Sequence, residues 1–167
     1  MKKLSTYLSV TALAAMLSIL PLASLAGTSD LTYSFTLTGP QAVGDPNTGN
    51  TIRVTGSGSF DTNAGTVIGS GSFTKFNSGG AVISRGTWKA TSFVSFDSFG
   101  GFSPGFQGGV LKITVSLSPD TGTPETAATM VVTCLVNAPP SFKGDEGITI
   151  GSFTKTLGGH TLFHLND

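Results

Sequence analysis

The chain has 167 residues, with nine basic and nine acidic side chains and 11% charged residues in all, well under the roughly 25% usual in soluble proteins. No basic stripe is present to hold nucleic acid or an anionic membrane surface. A single cysteine, Cys134, excludes an intrachain disulfide, so packing must supply the stability.

Lys2 and Lys3 precede an apolar run from Leu8 to Leu20, followed by Pro21 and the small-residue stretch Ala23-Ser24-Leu25-Ala26, the layout of a secretory signal peptide. The run is shorter than the roughly 20 residues that span a bilayer. Residues 1–26 therefore read as a leader cleaved after Ala26, leaving residues 27–167 as one secreted or periplasmic domain with no membrane span. Leu25-Ala26-Gly27 is followed by Thr28, so no thiol is available there for lipid attachment. Loss of Lys2 and Lys3 leaves seven basic residues against nine acids, a net charge of −2.

Leu31, Tyr33, Phe35 and Leu37 alternate with Thr32, Ser34, Thr36 and Thr38, which predicts a strand with one wet face. A loop over 39–50 follows, and Ile52, Val54 and Phe60 line the next strand. Two copies of Gly-Ser-Gly-Ser-Phe, at 56–60 and 69–73, flank Asp61-Thr62-Asn63-Ala64-Gly65 and predict a β-hairpin whose facing glycines mark sharp bending or close backbone approach. Val67 and Phe73 lie on one face of its second arm, Ile68 and Phe76 on the other.

After Asn77-Ser78-Gly79-Gly80, a long strand is expected from Val82 to about Phe96, with Gly86, Trp88, Ala90, Val94 and Phe96 at even positions and Arg85, Thr87, Lys89 and Thr91 opposed. Trp88 reads as a core anchor. Residues 98–109, rich in Phe, Gly and Ser, read as a loop. Leu111, Ile113, Val115 and Leu117 alternate again, then Ala128–Val136, with Cys134 on its buried face, and Ile148–Phe153 and His160–Leu165 close the chain as a last pair. The pattern gives an all-β class: a single antiparallel domain of seven to eight strands, with a small closed β-barrel preferred over a β-sandwich because glycines fall within long strands.

Sequence motifs for chemistry are weak. Gly101-Phe102-Ser103-Pro104-Gly105 spells a nucleophile elbow, but Pro104 has no N–H for the oxyanion hole. His160 and His164, four residues apart on a strand, are separated by roughly 13 Å of backbone, too far to share a metal ion. The Asp45–Asn50 and Asp61–Gly65 stretches read as turns. No cofactor or metal is implied. The strongest feature is aromatic: Phe93, Phe96, Phe99, Phe102 and Phe106, with Trp88 upstream, form the candidate contact set for a ligand or partner, as a lid, an interface or a plug.

The stretch Val54-Thr55-Gly56-Ser57-Gly58-Ser59-Phe60-Asp61 resembles the Gly-rich strand of the dirigent and allene oxide cyclase barrels. The resemblance covers this hairpin alone. It implies a small exported barrel whose apolar cavity steers reactive organic molecules, often as a trimer, and no catalytic residue of those families maps onto this chain. Three functions are thus expected, in order: noncatalytic binding of a small apolar ligand or a protein partner; a structural or self-associating surface protein, homo-oligomeric; and a cyclase-like enzyme drawing on Arg85, Lys89 or Asp97.

Overall fold

The computed structural model describes residues 31–166, apart from the side chain of Thr126. The expected leader lies outside the described residues. Eight strands are present: β1 (Thr32–Gly44), β2 (Thr51–Asp61), β3 (Thr66–Phe76), β4 (Val82–Ser103), β5 (Phe106–Pro119), β6 (Glu125–Cys134), β7 (Gly147–Ile150) and β8 (Lys155–Asn166). Among the described residues there is no helix, and hence none long and apolar enough to cross a membrane.

All eight strands join one antiparallel sheet in the order β4-β3-β2-β1-β8-β5-β6-β7, and β4 also pairs with β5, so the sheet curls into a partial ring. Ladder closure is narrow. Only Phe106↔His164 and Gln107↔Phe163 join β5 to β8, after which β5 turns away to pair with β6 from Gly109 to Leu117.

Beyond that point a seam separates β8 from β6 and β7, and side chains hold it together. The Glu146 carboxylate accepts the Leu135 N–H at 2.6 Å and the Thr161 N–H at 2.9 Å. Thr156 Oγ1 donates to the Ile148 carbonyl at 3.1 Å. Gln41, fully buried at the β1 bulge, donates from Nε2 to the His160 carbonyl at 2.8 Å, tying β1 to β8 where their ladder is interrupted. These bonds satisfy groups that a continuous ladder would otherwise pair.

The hairpin at 51–76 forms as its sequence implies. Gly56 faces Gly71 and Gly58 faces Gly69, with all four glycines on the inner face. Their missing side chains admit two large rings: Trp88 lies over Gly56 and Gly71, and Phe35 lies over Gly58 and Gly69. Trp88 is 1% exposed and its indole N–H donates to the Thr55 carbonyl at 2.8 Å, so its one polar atom is satisfied within the core. The remaining interior is packed with Ile52, Leu111, Ile113, Met130, Ile148 and Phe163.

Three expectations need correction. Strand β1 continues past Thr38 to Gly44, because a bulge between Leu37 and Gln41 absorbs Thr38-Gly39-Pro40 and returns Gln41 and Val43 to the interior. Residues 98–109 are strand, not loop: β4 runs to Ser103 and β5 begins at Phe106, with Pro104-Gly105 as a two-residue turn in which Gly105 takes φ +81°. The last two strands do not pair with each other; β7 pairs with β6, and β8 pairs with β1.

Candidate functional site

Bulges in β4 decide where its phenylalanines point. Ladder registers shift between Ala90 and Ser92 and again between Phe93 and Ser95, so Trp88, Ala90, Phe93 and Phe96 all face inward at spacings of two, three and three. Val94, inward by strict alternation, is instead 55% exposed. Phe93 and Phe96 join Tyr33, Phe60 and Phe163 in one aromatic cluster, with the Phe60–Phe96 and Tyr33–Phe96 centroids both 4.9 Å apart. Burial pushes the Tyr33 phenol above its usual pKa.

The remaining phenylalanines of that set go elsewhere. Phe102 and Phe106 flank the Pro104-Gly105 turn, 5.7 Å apart, and Phe106 meets His164 edge-on at 5.2 Å. Phe99 points outward and packs edge-to-face on Phe142 at 5.0 Å. The six sequence candidates are therefore divided among the core, the β4–β5 turn and the outer face. His160 and His164 are both exposed on β8.

Side chains fill the barrel interior, in contrast to the ligand cavity that the dirigent and cyclase resemblance implies. Among the described residues the outer surface carries several concavities, two of them roomy enough for a small molecule. A shallow trough of about 650 Å³ runs over β1 to β4, lined by Ser34, Thr36, Ser57, Ser59, Ser70 and Lys89. Cross-strand registers align these hydroxyls in rows, such as Thr36–Ser57–Ser70–Lys89. Ile68, 72% exposed, is the large apolar side chain on this face.

The second concavity is a groove of about 460 Å³ across the outer face of β4, β5, β6 and β7. Strand register brings Asp97, Val110 and Thr133 into one row and Lys112, Val131 and Thr149 into the next. Residues 135–146 fold back over them, placing Phe142, Gly144 and Asp145 on the opposite wall. This cover is fastened at several points. Asn137 takes φ 54° and donates from Nδ2 to the Gly101 carbonyl at 2.8 Å, while Glu146 holds the far end of the segment. Gly108 lets the chain pass close, since a Cβ there would overlap the Val136 carbonyl oxygen. The Phe142 ring in turn folds onto Gly144, where a Cβ would lie 2.5 Å from Cζ.

The groove thus has an apolar floor, two aromatic walls and three charged side chains. Phe99 belongs to the sequence candidates; Phe142, Val110, Val131, Lys112, Asp97 and Asp145 complete a site that strand alternation alone does not assemble. Pro139-Pro140 and Gly144 mark a loop in the sequence, but its docking depends on the contacts of Asn137 and Gly108.

Two further groups have defined surroundings. Cys134 is buried among core side chains, and desolvation, with the nearby Glu146 charge, pushes its thiol above the usual pKa, so little nucleophilic thiolate forms. Asp45 accepts the Asn47 N–H at 2.9 Å and the Ser152 hydroxyl at 3.1 Å, tying the β1–β2 loop to the β7–β8 connection. These bonds, the backbone one foremost, hold its carboxyl below the usual carboxylate range. Among the described residues no group of three His, Cys, Asp or Glu side chains is arranged to hold a metal ion. Comparisons of the chain with protein families, characterised proteins and solved structures find no match.

Proposed function

We propose that this chain is an exported, noncatalytic binding protein that takes a small ligand with an apolar face into the groove between β4–β7 and residues 135–146. The observation that carries this reading is the Phe99–Phe142 pair, which stands over the Val110 and Val131 floor in a groove of about 460 Å³. That volume falls in the range of small-molecule sites, and the mixture of apolar surface with a few polar groups is what such sites present. The fastened cover supports the reading, because a wall already held in place loses little entropy on binding. The filled interior turns the expected ligand away from the barrel centre and towards this outer face.

The test is a small-molecule fragment screen by ¹⁵N–¹H NMR on the protein from residue 27. Hits that shift the amides of Phe99, Val131 and Phe142 and are lost in Phe142→Ala support the proposal. Hits confined to other surfaces, with Phe142→Ala without effect on them, overturn it.

A further inference from the structure

Three charged side chains meet at the groove, Asp97 from β4, Lys112 from β5 and Asp145 from the cover. Among the described residues none of the three makes an ion pair or a side-chain hydrogen bond. Two uncommitted carboxylates against one ammonium leave the groove with a net charge of −1 at neutral pH. Beside them stand Phe99 and Phe142, packed edge-to-face at 5.0 Å, aromatic surface of the kind that accommodates organic cations. Resting on the groove as the ligand site, we infer that its ligand class is organic cations: a small ammonium compound whose alkyl surface packs on Phe99, Phe142, Val110 and Val131 while Asp97 and Asp145 supply the counter-charge.

Charge complementarity selects this occupant over the others. An anion would meet two carboxylates. A bare metal ion needs a shell of oxygen or nitrogen ligands, whereas the floor here is valine and the walls are phenyl rings. A quaternary ammonium satisfies both surfaces at once, because its charge is spread over N-methyl groups that are weakly hydrated and lose little on entering an aromatic site. Lys112, beside Val131 in the β5–β6 ladder, is among the described residues the one cation lining the groove and would meet a polar or anionic tail of the same ligand.

The experiment compares choline with 3,3-dimethylbutan-1-ol, which has the same shape and no charge, by NMR titration of the protein from residue 27. Choline is expected to shift the amides of Asp97, Phe99, Lys112, Val131 and Phe142 saturably and to bind about tenfold or more tightly than the alcohol. Asp97→Asn combined with Asp145→Asn, both at exposed positions that leave the fold intact, should remove that preference while the alcohol binds as before. Equal binding of the two compounds overturns the cation assignment and leaves the groove as a ligand site. Absence of groove shifts with either compound, in a protein whose spectrum shows it folded, overturns the cation assignment; an empty fragment screen of the same groove would remove the site itself.

Discussion

Replacing Gly71 with alanine tests the packing that organises the hairpin. A Cβ at Gly71 would overlap the Thr55 carbonyl oxygen and lie 2.5 Å from the Trp88 Nε1 and 2.7 Å from the Gly56 Cα. Two of these three neighbours are backbone of the paired strand, so the indole is the part that must move. Its displacement breaks the 2.8 Å bond to the Thr55 carbonyl and overfills a site already occupied by the largest core side chain. Overpacking costs about 1–3 kcal/mol, and a buried hydrogen bond lost with its acceptor left behind costs about 1–3 kcal/mol more. The sum, roughly 2–6 kcal/mol, corresponds to a fall in Tm of roughly 6–24 °C at about 3–4 °C per kcal/mol for a domain of this size. Thermal unfolding followed by far-UV circular dichroism measures the fall. Trp88 is the only tryptophan, so its emission reports the same event directly and should move to longer wavelength. Ser57→Ala, on the outer face of the same hairpin, should change stability by less than about 0.5 kcal/mol. A Gly71→Ala protein melting within about 2 °C of the parent, with unchanged emission, would refute the argument that Trp88 and the glycine pairs share one close-packed layer.

The seam and the Asp45 tie give two more expectations. Glu146→Ala removes the acceptor of the Leu135 and Thr161 N–H groups and should cost about 2–4 kcal/mol, with hydrogen exchange accelerated first at 133–135 and 161–163; uniform acceleration throughout the sheet would mean that Glu146 does not hold a separate seam. Asp45 has a lowered folded-state pKa, so its contribution is present above the unfolded aspartate value near 3.9 and is lost as the pH falls through the folded value below it. The stability gap between the parent and Asp45→Asn, from urea midpoints, should therefore be constant at neutral pH and close below about pH 4; a gap that persists at lower pH would contradict the carboxylate's role.

The strands whose side chains alternate without interruption were legible from sequence. In β5, Leu111, Ile113, Val115 and Leu117 are all buried and Lys112 is exposed, as period two requires. The Asp61–Gly65 turn was equally plain, and Asp61 Oδ1 does accept the Asn63 and Ala64 N–H groups. The bulges of β4 defeated the same rule by reversing the faces beyond each of them, while in β1 four steps from Leu37 to Gln41 match two from Gly56 to Val54, which keeps the odd positions inward but hides the strand behind Gly39 and Pro40. Strand partners were harder still. Nothing local in Ile148–Ile150 says that it pairs with β6, because the choice involves groups elsewhere: Glu146, which binds Leu135 and Thr161, and the narrow β5–β8 contact.

Those irregularities also set which β5 residues face the site. Had β4 kept strict alternation from Trp88, the even positions would face inward and Phe93 and Phe99 would share the outer face. The first bulge turns Phe93 into the core, the second restores Phe96 to it, and Asp97 then emerges opposite Val110 at the edge of the groove. A further register shift after Ser98 accompanies the outward turn of Phe99 towards Phe142. Phenylalanines three or four residues apart in sequence thus take different duties, some packing the barrel and one walling the groove. Removing a bulge, by deleting Ser92 for example, would exchange these duties and expose core rings. Core packing and groove geometry are consequently coupled through the register of a single strand, and a substitution that leaves every groove side chain unchanged can still dismantle the site by shifting β4 by one residue.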